Sequence, residues 1–358
     1  MARSAGSLRA PLTRWRVTPS LPCALSRPSN IWDIRYISGQ QVSNNASLTY
    51  TLRSFSSQPN KGDNGISFQP GNRLAGRNCM ITGGTSGIGF AIAERFLQEG
   101  ASTITLVGRS QARLEEAATK LESLTGTLPG SDDSTSAIAT RTPEEDSQQD
   151  NEGKIRLLVG DVSNAGPWMR ELEKEMSNID ILVNAAGISI SNILPRSELA
   201  DISMILRTNL EGAMLTSRAL LRASVRSRMR NRTQAAGTKP HSKCIINVSS
   251  LLALKGGTGA VPYAASKAGL LGLTRSLAVE ASASMKDIVI RSNAIVPGYI
   301  ETPMIADFTP GEITRLKDLI PLHRFGDPRE IADAAVFLAQ NEYANNCVLN
   351  LDGGLSAV

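Results

Sequence analysis

Eight consecutive residues, Thr82-Gly83-Gly84-Thr85-Ser86-Gly87-Ile88-Gly89, restrict the fold of this 358-residue chain more than any other stretch. Before them runs a short apolar strand pattern, Asn78-Cys79-Met80-Ile81-Thr82, and after them, from Ile88 to Glu99, apolar residues recur at helical spacing. The glycines therefore occupy a strand-to-helix turn. Gly83, Gly87 and Gly89 lack a Cβ, so the backbone can take angles closed to other residues and leave room for a diphosphate at the positive end of the following helix. Glycine turns also close ordinary βα units, so the context carries the weight. Strand and helix patterns alternate along the chain from here on, which implies an α/β fold: a doubly wound, Rossmann-like parallel sheet covered on both faces.

A second constellation lies far downstream. Pro262-Tyr263-Ala264-Ala265-Ser266-Lys267 opens a helical pattern reaching about Ala283, so Tyr263 and Lys267, four apart, share one face. A free tyrosine titrates near about 10, and a neighbouring cation stabilises the phenolate and moves the group toward proton transfer at neutral pH. Ser250 ends an apolar strand pattern, Ile245-Ile246-Asn247-Val248, where its hydroxyl can bond a substrate carbonyl. Taken singly, these residues are equally a helix-surface Tyr/Lys pair and a serine in a strand-end turn.

The glycine turn, Asn184-Ala185-Ala186-Gly187, Asn209, Ser250, Tyr263, Lys267 and Pro297-Gly298 occur in the order and spacing of the short-chain dehydrogenase/reductase family, which the chain resembles over roughly residues 73 to 358. Within it the chain looks most like the 3-oxoacyl-[acyl-carrier-protein] reductases, notably in Val296-Pro297-Gly298-Tyr299-Ile300-Glu301-Thr302 and Leu351-Asp352-Gly353-Gly354. The resemblance implies an NADP(H)-dependent reductase in which Tyr263 is the general acid. Lys267 lowers the tyrosine pKa and holds the nicotinamide ribose, Ser250 orients the carbonyl, and Asn209 holds a water that returns protons to Lys267. It also implies cofactor contacts from Gly83, Thr85, Ser86, Gly87, Ile88 and Gly89 in the turn. Asp161 and Val162 would lie at the adenine, Asn184, Ala185 and Gly187 along the cleft, and Pro297, Gly298, Ile300 and Thr302 at the nicotinamide, beside Tyr263 and Lys267. It further implies a homotetramer acting on an acyl group that stays carried by acyl carrier protein, its product feeding mitochondrial fatty-acid synthesis. A reductase of free ketones, quinones or steroids and a non-catalytic NADP(H)-binding scaffold are the other readings. Where the family often has Tyr-Ile-Thr-Gly near its end, this chain has Tyr343-Ala344-Asn345-Asn346, and asparagine can take the left-handed conformation in place of the glycine.

The cofactor is read at the end of the second strand pattern, Thr103-Ile104-Thr105-Leu106-Val107-Gly108-Arg109-Ser110. A carboxylate here accepts from the ribose 2′-OH of NAD and repels a 2′-phosphate. Arg109 stands there instead, and with Ser110 it offers paired donors to the phosphate of NADP(H), or else simply starts the next helix.

Residues 1–60 contain seven Arg, one Asp and no Lys or Glu, with no sustained period. That is the composition of a mitochondrial transit peptide, with a matrix-processing pattern at Arg53-Ser54-Phe55-Ser56, or of a disordered tail. The chain's net charge of +5 resides in this segment, which carries +6 and leaves −1 for the remainder, so the basic balance says nothing of nucleic acid. Four separated cysteines and two histidines suggest reduced core thiols and no structural zinc. Two insertions interrupt the single reductase domain. Residues 125–154 are polar and read as a disordered surface segment. Residues 222–243 hold seven basic residues and no acid, and read as a docking site for an acidic carrier protein near the active-site mouth or as a solvated basic loop.

Overall fold

The computed structural model describes residues 71–125, 154–231, 242–285 and 288–358, all within one compact unit, Pro59–Val358. The transit-peptide and polar-insertion readings fall outside the described residues. Seven parallel strands, β1 (Asn78–Thr82), β2 (Thr103–Gly108), β3 (Ile155–Val159), β4 (Ile181–Asn184), β5 (Lys243–Val248), β6 (Ile290–Pro297) and β7 (Val348–Leu351), form one sheet in the order β3-β2-β1-β4-β5-β6-β7. The order reverses between β1 and β4, and there the carboxyl ends of the strands open a crevice. This is the doubly wound sheet that the alternating patterns imply.

The strand period of two distributes side chains to two cores. Cys79 and Ile81 of β1 face one layer, with α1 (Gly87–Gln98), α2 (Gln111–Thr125) and α8 (Pro328–Gln340). Met80 faces the other, with α3 (Met169–Glu175), α5 (Gly212–Asn231) and α6 (Val261–Ser284). A smaller cluster of Leu251, Leu316, Ile320, Phe325 and Leu355 holds α7 (Pro310–Leu319) and the segment after β6 over the crevice. Arg291 is 1 % exposed, and its guanidinium donates to Leu338 O (2.8 Å), Ala339 O (2.7 Å), Ala344 O (2.9 Å) and Ser242 Oγ (3.0 Å), capping the end of α8. Asn346 stands at φ 58°, the left-handed geometry foreseen for the missing glycine, and its N–H donates to Ser292 O. Among the described residues, no helix is long and apolar enough to cross a membrane.

The helical stretch foreseen over Leu199 to Leu221 is interrupted. α4 (Leu199–Leu206) passes through a π-helical turn, Arg207–Glu211, before α5 begins. Asn209 sits in that turn, and such bulges frequently mark functional positions.

Candidate active site

β5 and the start of α6 bring together three residues picked out from sequence. Ser250 follows β5 in extended backbone, its Oγ accepting the Leu252 N–H at 3.2 Å, and its hydroxyl is hydrogen-bonded to Tyr263. Tyr263 lies in the first turn of α6, and one turn on, the Nζ of Lys267 sits 5.6 Å from the centre of the phenol ring. Lys267 is 4 % exposed and donates to Val248 O at 2.9 Å. The neighbouring Ser249, which sequence reading passed over, donates to Lys267 O at 2.8 Å and so fixes the register of α6 against β5. The only advance signal was its place beside Ser250.

The electrostatics depart from expectation. Burial holds the Lys267 ammonium down at about 8, and burial also pushes the Tyr263 phenol up, the Ser250 hydroxyl pulling it partly back. A lowered phenol was anticipated from the adjacent cation. Desolvation outweighs it, because Nζ lies over the ring and donates to a backbone carbonyl rather than to the phenol oxygen. The result is a protonated phenol beside a poised ammonium, which suits a proton donor.

The Asn209 side chain is also fixed by protein partners. Its Oδ1 accepts from Ile188 N–H at 2.8 Å, and its Nδ2 donates to Ile188 O (2.9 Å) and Ser266 Oγ (3.0 Å). Both amide N–H bonds are spent, so the side chain clamps the loop after β4 onto α6 rather than holding a water by donation. Asn184, expected along the cleft, is 4 % exposed and its side chain is likewise committed. It donates to Asn247 Oδ1 (2.9 Å) and accepts from Thr216 Oγ1 (2.7 Å), while Asn247 donates to Thr274 Oγ1 (2.9 Å). This buried chain ties β4, β5, α5 and α6 together beneath the site.

The glycine turn lines the other side of the crevice. Gly83 takes φ 71°, and a Cβ there would lie 2.7 Å from Ala186 Cα, so the turn packs directly on the Asn184–Gly187 segment. Gly87 takes φ 57° with Thr302 Cγ2 3.3 Å from where its Cβ would be, and a Cβ on Gly89 would lie 2.4 Å from Gly83 O. Gly187 approaches Lys267 Nζ, 3.2 Å from its absent Cβ. The N-cap of α1, Ser86, makes no side-chain capping bond and the first turn carries no acid, so these N–H groups and the helix dipole are available to an anion. Thr85 and Ile88 are half-buried in the same turn. These features fit the diphosphate of a dinucleotide.

Farther out, Arg109 and Ser110 are exposed at the end of β2. Asp161, at the end of β3, accepts from Ser163 N–H (2.9 Å) and Oγ (2.7 Å), and Val162 is buried against the Cα of Gly212. Pro297 ends β6, Gly298 packs on Asp352, and the Ile300 side chain is 5 % exposed, so what Ile300 offers a ligand is its backbone. Thr302 is half-buried beside Gly87.

The described ends of the basic run, 222–231 and Lys243, do not stand at the mouth. Arg222 and Arg226 belong to the last turns of α5 and both pair with Glu173 of α3. Lys243 begins β5, where it bonds Ile179 O, and burial lowers its pKa. α5 runs antiparallel to the strands, so its end and the start of β5 lie at the amino edge of the sheet, opposite the carboxyl edge that carries Ser250. The docking role near the mouth is therefore corrected for Arg222, Arg226 and Lys243; residues 232–241 lie outside the described residues.

Comparisons with known proteins agree with this geometry. A family model described as short chain dehydrogenase matches residues 77–167, and one described as Enoyl-(Acyl carrier protein) reductase matches residues 133–356. The chain is 36% identical over 277 residues to a Bos taurus protein named 3-oxoacyl-[acyl-carrier-protein] reductase, covering 77% of this chain and 97% of the other. A protein of the same name from Aquifex aeolicus is 30% identical over 285 residues, covering 79% and 98%. Among solved structures, one titled a putative NAD(P) dependent gluconate 5-dehydrogenase from Beutenbergia cavernae, with NADP bound at low occupancy, superposes with a TM-score of 0.64 at 27% identity, covering 80% of this chain and 100% of that one. A short chain dehydrogenase from Bacillus anthracis superposes with a TM-score of 0.58 at 28% identity, covering 78% and 96%. With its sheet order, its glycine turn and its Ser250–Tyr263–Lys267 cluster, the chain belongs to the short-chain dehydrogenase/reductase family and is an oxidoreductase acting on CH–OH and C=O groups.

Proposed function

We propose that the chain reduces 3-oxoacyl-[acyl-carrier-protein] to the 3-hydroxyacyl product, using NADPH, in fatty-acid biosynthesis. The observation that carries this is the cluster of Ser250, Tyr263 and buried Lys267 facing a glycine turn built for a diphosphate. The names of the bovine and Aquifex relatives support the acyl-carrier substrate. A nicotinamide held in this crevice would supply the hydride for the substrate carbonyl. Ser250 orients that carbonyl, and the Tyr263 phenol, kept protonated by burial, donates its proton to the developing alkoxide. Lys267 stays cationic below about pH 8 and stabilises the phenolate left behind. The Asn209 clamp on Ile188 and Ser266 holds the wall of the cleft against α6. Gly83, Gly87, Gly89 and the first-turn N–H groups of α1 would hold the diphosphate, with Arg109 and Ser110 toward the adenosine end.

Residues 1–60, with seven Arg and a single acid, support delivery to the mitochondrial matrix, and the assembly proposed is a homotetramer. NADPH oxidation by the protein from Ser56 onward, with acetoacetyl-acyl carrier protein as substrate, tests the reading. Turnover that Tyr263→Phe lowers by at least about 100-fold supports it. No turnover of this substrate, with turnover of a free ketone, replaces the substrate, a result foreshadowed by the gluconate dehydrogenase neighbour.

A further inference from the structure

We propose that Arg113, on the first turns of α2, is a specificity residue for the 2′-phosphate of NADPH, acting with Arg109 as a two-guanidinium clamp. The inference rests on the NADPH reading above and names a residue that sequence reading did not single out. The turn Gly83–Gly89 contains no basic side chain, so whatever charge meets a phosphate near it comes from elsewhere. The structure brings that charge from α2. The Nη2 of Arg113 lies 3.4 Å from Ser86 Oγ, at the mouth of the turn, and the Arg113 N–H faces Ser110 Oγ at 3.4 Å. The end of β2 touches the same turn, since a Cβ on Gly108 would lie 3.3 Å from Thr85 Cγ2. Arg109 and Ser110 therefore flank one side of a hollow, Thr85 and Ser86 the other, and the Arg113 side chain spans it.

The charge arrangement also favours an anion. Arg109 and Arg113 are exposed cations at the amino end of α2, where the helix dipole disfavours positive charge; the first turn of α2 has no acid, and Glu116, one turn on and paired with Lys120, offsets Arg113 only in part. A phosphomonoester dianion meets this need. Its three terminal oxygens exceed what one bidentate guanidinium satisfies, and a second guanidinium with the Ser86 and Ser110 hydroxyls completes the set. NAD(H), with a hydroxyl in place of the phosphate, gains nothing from Arg113.

The test is binding, read without turnover. Dissociation constants of NADPH, NADH, adenosine 2′,5′-bisphosphate and 5′-AMP are measured by calorimetry for the wild type, Arg113→Gln, Arg113→Lys and Arg109→Gln. In Arg113→Gln, NADPH and the bisphosphate are expected to weaken by about 10- to 100-fold while NADH and 5′-AMP stay within about twofold. Arg113→Lys, a point charge without the fork, recovers part of the loss. Arg113 is exposed, so an unchanged urea midpoint shows that the variants are folded. If Arg113→Gln weakens NADH as much as NADPH, or weakens neither, the proposal is overturned while the NADPH reading stands. A wild type that does not prefer NADPH to NADH overturns the cofactor reading itself, and the proposal with it.

Discussion

Replacing Lys267 by methionine should abolish reduction and yet make the unliganded protein more stable at neutral pH. Burial lowers the Lys267 ammonium from 10.5 to about 8, which corresponds to about 3 kcal/mol of disfavoured charge in the native state. The sign follows from proton counting. Below about pH 8 folded and unfolded chains both carry this proton and the full penalty applies; between about 8 and 10.5 the unfolded chain binds more protons, so stability rises with pH. Above that range the penalty is gone. Methionine fills similar space without the charge, but it leaves the Val248 carbonyl without its 2.9 Å donor, at a cost of about 1 kcal/mol. The net gain near neutral pH is about 2 kcal/mol, and the gap between variant and wild type narrows by about 2 kcal/mol from about pH 7 to about pH 9.5. Urea unfolding of the unliganded proteins at both pH values measures it, and other titrating groups cancel because both proteins contain them. A methionine variant less stable than wild type at neutral pH, or a gap that ignores pH, would refute the reasoning.

Gly83→Ala puts a Cβ 2.7 Å from Ala186 Cα at φ 71°, so NADPH binding measured by fluorescence should weaken by at least about tenfold, with about 1–2 kcal/mol of stability lost. Arg291→Met strips donors from three buried carbonyls and the Ser242 hydroxyl, and the urea midpoint should report about 3–5 kcal/mol of destabilisation. Asn346→Val forces a β-branched residue to φ 58° and should cost about 1–2 kcal/mol, whereas Asn346→Gly should be neutral or slightly stabilising; a valine variant as stable as wild type would contradict the assignment. The reduction rate should fall as pH rises past about 8, where Lys267 loses its proton, and a flat kcat/KM profile to about pH 9.5 would count against the lysine's role.

Features fixed by local backbone chemistry were legible in the sequence. Gly83 and Gly87 were marked by the absence of a Cβ between a strand and a helix, and both take positive φ. Asn346 was marked because asparagine tolerates the left-handed region, and it occupies it. Tyr263 and Lys267 were marked by a spacing of four on one helix. What failed depended on direction and depth. The basic run looked close to Ser250 along the chain, yet a helix running back across the sheet carries Arg222 and Arg226 away from it, and Lys243 begins β5 at the far edge. The phenol's direction of shift turned on burial, which adjacent letters do not encode. Arg113 reaches Ser86 only because of how α2 is rotated against the glycine turn, a tertiary fact with no periodic signature.

The connection from α2 to β3 and the connection from α5 to β5 both run from a helix to the next strand. In a parallel sheet all such connections share one rim, while substrate, cofactor and the reacting side chains meet at the other. The fold thus separates a rim free to change length from a rim whose spacing is dictated by chemistry.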